Sequence, residues 1–214
     1  MVERVIEMTE FYTKAVNELR NIYNHLNKDY YNNELPEVVI TVQSSPKGKA
    51  YGWYAKDRWG IETDKEKAFD EINISAEYLS RPIENIIATM QHEMVHLYCE
   101  INDIKDTSNN NVYHNKKFKE EAEQRGLSIE KAQTIGYSVT TPTEEFIEYI
   151  NGLNINEDNF KFFRKLPLGK SLGTKTPTKK TTKYTCSCCG ASVRGEPDLE
   201  IECKKCGVLM ESKH

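Results

Sequence analysis

No run of apolar residues in this 214-residue sequence approaches the roughly 20 that a membrane-spanning helix needs. The opening stretch, MVERVIEMTE, has no basic segment leading into an apolar one, so no secretion signal is expected and the expected location is cytoplasmic. In that compartment the six cysteines read as thiols or metal ligands rather than disulfides. No internal repeat is present. Histidine is scarce, at five residues (His25, His92, His96, His114 and His214), so few side chains compete for any role that needs an imidazole. What the sequence does hold, 38% hydrophobic and 29% charged residues, suits a globular core with a polar surface.

The net charge of −4 conceals a division along the chain. Residues 1–160 carry 17 Lys and Arg against 28 Asp and Glu. Residues 161–185 carry eight Lys and Arg and no acid, in a stretch rich in Gly, Pro, Thr and Lys. Three parts follow: a main domain over 1–160, a basic flexible linker over 161–185, and a small module over 186–214.

In the main domain, Phe11, Ala15, Leu19, Ile22, Tyr23 and Leu26 recur at helical spacing and predict a helix over 9–28. NNELP reads as a turn. EVVITVQ, KGKAYGWYAKDRWGIET and DEINIS read as strands joined by charged turns. Pro82 opens a second helix, PIENIIATMQHEMVHLYCEIND, since proline suits a first helical turn. A strand at Gly136–Thr140 and a short helix at Thr143–Asn151 complete the pattern. The fold class is α+β: a small antiparallel or mixed sheet packed on the N-terminal helix and the Pro82 helix, with a further helix after His114.

The second helix contains His92-Glu93-Met94-Val95-His96. Side chains four apart on a helix point the same way, so His92 and His96 can bind one ion from one side. Glu93 points away from direct ligation but within reach of a water at that ion, which is two ligands and a base. A third ligand is needed. His25 reads as a surface residue of the first helix and His214 is the final residue, which leaves His114; a carboxylate one turn further on, Glu120 or Glu121, is the rival. The tail carries Cys186-x-x-Cys189-Gly and Cys203-x-x-Cys206-Gly, two tight turns 13 residues apart. That spacing predicts a four-cysteine zinc ribbon in which each Gly permits a left-handed turn. Cys188 is left over, and Cys99 reads as a small buried residue.

HEMVHLYCEIND followed by VYHNKKFKEEAEQRGL resembles the SprT-like metalloprotease family, which includes the Spartan proteases acting on DNA–protein crosslinks. The resemblance covers about residues 10–130, and the family often carries a C-terminal ribbon. It implies a zincin-like metalloprotease domain with a catalytic zinc on His92, His96 and His114, Glu93 as general base, and a structural zinc on Cys186, Cys189, Cys203 and Cys206. Asn115 stands where the family usually has Gly; Asn tolerates unusual backbone angles.

The expected activity is a zinc-dependent endopeptidase. Tyr98, Tyr113 and Tyr137 are the candidates to support developing charge, each with packing as the simpler role. AYGWYAKDRWG, with Trp53 and Trp59, offers an edge strand able to hold an extended peptide. The expected partners are a protein substrate and DNA, the latter through the basic linker and ribbon. Two other classes stay open. One is a zinc-ribbon nucleic-acid-binding factor with a non-catalytic metal site, in which Glu93 is dispensable. The other is an interaction module whose histidine site is closed by Cys99 or Glu100.

Overall fold

The structure, a computed structural model, describes residues 2–45, 50–165 and 182–213. The chain divides into two units, Met1–Lys165 and Leu166–His214. The central part of the basic stretch, 166–181, lies outside the described residues. At its flanks, the Arg164 amide donates to the Ala76 carbonyl (2.9 Å) within the first unit, and Tyr184 is buried within the second.

The first unit is built on two long helices. Helix α1 (Val2–Tyr31) is longer than its periodicity predicts and stops where Asn32 and Asn33 turn left-handed, at φ 53° and 60°. Ala15, Leu19, Ile22, Tyr23 and Leu26 form its buried stripe. Each leucine or isoleucine of the stripe removed from water is worth about 1.5–3 kcal/mol. The stripe packs with Ile86, Ile87, Met90, Met94 and Leu97 of α2 (Ile83–Ile101) into one continuous core. Pro82 sits just outside α2, and its carbonyl accepts from the amides of Asn85 and Ile86.

Against these helices lies a mixed three-stranded sheet in the order β1 (Val39–Gln43), β3 (Asp64–Ser75), β2 (Gly52–Ile61). β1 runs parallel to β3, and β2 returns antiparallel to it. Ile72 and Ile74 of the central strand are fully buried. β2 is an edge strand, broken by a bulge between Ala55 and Trp59 where Asp57 takes φ 49°. Among the described residues no strand pairs with its outer side.

After α2 the chain makes a second sheet in the order β4 (Thr107–Ser108), β5 (Tyr113–His114), β7 (Gly136–Pro142), β6 (Leu127–Ala132). Helix α3 (Lys116–Glu123) follows β5, and α4 (Glu144–Gly152) is capped by the Thr143 hydroxyl. The second unit holds a three-stranded sheet, β12 (Glu211–Lys213), β8 (Thr182–Thr185), β9 (Ser192–Gly195), and a hairpin of β10 (Glu202–Cys203) and β11 (Val208–Leu209). The architecture is mixed α+β, as the sequence predicts. Among the described residues no helix is long and apolar enough to cross a membrane.

Candidate metal centre

Helix α2 is apolar on most of its surface, and His92 and His96 lie on its partly buried stripe. His114 arrives on β5, where it pairs with Thr107 on one side and Gly136 on the other. The approach of β5 to β7 depends on Gly136. Its φ is +74°, and a Cβ there would fall 2.1 Å from the His114 carbonyl oxygen.

The three imidazoles converge through one nitrogen each. His114 Nε2 lies 3.2 Å from His92 Nε2 and 3.1 Å from His96 Nε2. A tetrahedral zinc with Zn–N near 2.0–2.1 Å spaces its nitrogens by about 3.3–3.4 Å, close to these separations. The other nitrogens are occupied. His92 Nδ1 contacts Thr140 Oγ1 (2.7 Å), His96 Nδ1 contacts Asp106 Oδ2 (2.5 Å), and His114 Nδ1 donates to the Ile135 carbonyl (3.3 Å). Such acceptors place the proton on Nδ1 and leave each Nε2 with a lone pair facing the centre. Three facing lone pairs repel one another unless a cation sits between them. The donor set therefore fits a divalent ion that takes neutral imidazoles.

The surroundings keep the rings of His92 and His114 neutral. Burial, then the neighbouring His96 and His114, hold His92 well below the usual imidazole range. Burial, then His96, lowers His114 to about 4. The ring of Phe118, fully buried on α3, forms a floor under all three imidazoles, with centroids 4.6, 4.7 and 4.7 Å away.

Glu93 is buried at 6% exposure, and burial raises its carboxyl to about 7 against the lowering effect of His96 and the Tyr54 amide bonded to it. A Cβ on Gly52 would stand 3.3 Å from Glu93 Oε1, so the carboxyl lies directly against edge strand β2. A group poised near neutrality at a strand edge can accept and return a proton.

Other residues singled out in the sequence fall elsewhere. Glu120 is exposed, and Glu121 pairs with Arg125 (2.7 Å), so neither joins the histidines. His25 is exposed on α1. Cys99 is fully buried in the core, where burial pushes its thiol up to about 12, and Glu100 pairs with Lys56. Among the described residues no fourth His, Cys, Asp or Glu joins the histidine group. Tyr98 carries the Arg125 guanidinium on its face (3.9 Å), Tyr113 packs against Gly136, and Tyr137 lies near the ammonium groups of Lys119 and Lys131. Asn115 differs from its expected role. Its φ is −94°, so it uses no special backbone freedom; its side chain caps α3 by accepting from the amides of Lys117 and Phe118. Sequence reasoning also missed Asp106 and Thr140, which no local pattern links to the histidines.

In the second unit the sulfurs of Cys186, Cys189, Cys203 and Cys206 all lie within 4.8 Å of one another. Cys189 and Cys203 Sγ are 3.8 Å apart, close to the spacing of about 3.8 Å across a tetrahedral zinc with Zn–S near 2.3 Å. The two turns match: the Gly190 amide donates to the Cys186 carbonyl and the Gly207 amide to that of Cys203, with φ +71° and +66°. Cys188 is exposed, lies beside Cys206 and stays outside the group.

Residues 19–139, more than half of the chain, match the sequence model of the SprT-like family. No curated protein and no solved structure matches the chain.

Proposed function

The chain belongs to the SprT-like family, and from that premise we propose that it is a zinc-dependent endopeptidase with Glu93 as its general base. The observation that carries this reading is the convergence of three Nε2 lone pairs beside a buried carboxyl that lies along an open strand edge. His92, His96 and His114 would hold the catalytic ion. Zinc bound there supplies a Lewis acid for the scissile carbonyl and lowers the pKa of water towards about 7.

The remaining steps belong to the chain itself. The outer edge of β2 pairs with the extended substrate through main-chain hydrogen bonds, which sets the peptide beside Glu93. Glu93 takes the proton of the attacking water and then delivers it to the leaving amine. Thr140, Asp106 and the Ile135 carbonyl keep the imidazoles in one tautomer throughout. Cys186, Cys189, Cys203 and Cys206 would hold a second, structural zinc that folds the small unit. A protein associated with DNA is the proposed substrate class, supported by the eight Lys and Arg of residues 161–185 and by the family.

The test compares wild type with Glu93→Gln, measuring zinc content alongside cleavage of free and DNA-bound proteins, with and without single-stranded DNA. Two zincs in both proteins with cleavage by wild type alone is the expected result. Equal cleavage by both would remove Glu93 from the mechanism. A single zinc lost with the ribbon cysteines would remove the histidine centre.

A further inference from the structure

A guanidinium is fixed one helical turn from the proposed base. Arg81 lies between the turn Ala76–Tyr78 and α2. Its Nε donates to the Tyr78 carbonyl (3.1 Å) and its Nη2 to Thr89 Oγ1 (2.9 Å). Its Cζ lies over the Tyr51 ring, 4.1 Å from the centroid, and Tyr51 meets Tyr78 edge-on at 4.7 Å. Among the described residues no acidic side chain pairs with it. Arginine presents five N–H donors, and these two bonds use two of them. A partly buried cation without a counter-ion is costly, and a clamp for the turn would need no charge.

Its position relates it to the cleft. Thr89 stands four residues before Glu93 on α2, and both press on Gly52: a Cβ there would meet Thr89 Cγ2 at 2.9 Å and Glu93 Oε1 at 3.3 Å. Tyr51, which carries the guanidinium, immediately precedes Gly52 and is 51% exposed. Arg81 therefore marks the Gly52 end of edge strand β2. A peptide added antiparallel to β2 runs from the Lys56 end towards Gly52, so the residues after its scissile bond approach Arg81.

We infer that Arg81 is a specificity residue that binds a carboxylate on the leaving side of the substrate, either an Asp or Glu side chain or the free chain end. The inference rests on the peptidase reading given above. The fork geometry suits a carboxylate, and a charge-assisted pair in a half-buried setting discriminates strongly against the neutral amide.

The experiment uses the zinc-loaded full chain as wild type, Arg81→Gln and Arg81→Lys, after zinc content and thermal unfolding show all three folded. Amidated peptides carrying Glu or Gln at each of the three positions after the cleaved bond are compared by kcat/KM. A Gln peptide with a free carboxyl end forms a separate arm. Binding of every peptide is also followed by anisotropy. The expected result is a preference of roughly tenfold for Glu at one position, or for the free end. That preference collapses towards one in Arg81→Gln and returns in part in Arg81→Lys. Equal treatment of Glu and Gln by wild type, or a ratio unchanged in Arg81→Gln, overturns the inference. So does a loss of Arg81→Gln affinity for a single-stranded oligonucleotide with the peptide ratio intact, which assigns the cation to phosphate. If wild type cleaves nothing, anisotropy still decides: an acidic preference lost in Arg81→Gln keeps the subsite and sinks hydrolysis, and equal affinities sink the subsite.

Discussion

His96 Nδ1 lies 2.5 Å from Asp106 Oδ2, joining helix α2 to the loop that follows it. Asp106 is 9% exposed, and its carboxylate fixes the orientation of the imidazole so that the far nitrogen faces the centre. Replacing Asp106 by Ala should weaken zinc binding at the histidine centre by about 10–100-fold. Competition with a chelating dye measures this, and the ribbon ion serves as the internal reference. An unchanged affinity would show that Asp106 is not part of the site's support.

Gly136→Ala should damage the same centre from the other side. The new methyl group would sit 2.1 Å from the His114 carbonyl oxygen, at a backbone angle of +74° that suits glycine. The expected cost exceeds about 1 kcal/mol of stability, with loss of one zinc per chain. Denaturation and metal analysis on one preparation check both.

Phe118→Ala removes the floor under three imidazoles and a fully buried core ring at once. About 3–5 kcal/mol of stability should be lost. Phe118→Leu keeps most of the volume, so it should lose less stability while still loosening the histidine site. If zinc affinity in Phe118→Leu equals wild type, the ring contributes to packing alone.

Cys206→Ser should lower bound zinc from two ions to one. The small unit would unfold while the first unit keeps its own transition, because apo ribbons have too little core to fold alone. Calorimetry of the variant should show one transition where the wild type shows two.

Much of this was legible in the sequence because it depends on neighbours along the chain. His92 and His96 are one helical turn apart, and each Cys-x-x-Cys-Gly builds its own turn. The buried stripe of α1 follows from spacing from Ala15 onwards, while Phe11, which shares that spacing, is 40% exposed. What was not legible depends on distant pairing. Thr140 meets His92 across 48 residues, and β1 pairs in parallel with β3 past the intervening β2. Asn115 was read through its backbone tolerance, whereas its side chain carries the role: it caps α3 and donates to the Lys105 carbonyl (2.7 Å).

The open side of β2 also bears on how the protein behaves at high concentration. An unpaired strand offers its amides and carbonyls to any extended chain, including the same strand of a second molecule. Trp59 and Ile61, 43% and 38% exposed, make that encounter adhesive. The kink at Asp57 and the charges of Lys56, Asp57 and Arg58 interrupt the row before it becomes long enough to template a stack. If β2 holds substrate as proposed, self-association and substrate capture compete for the same ten residues, and sealing the edge against one would also block the other.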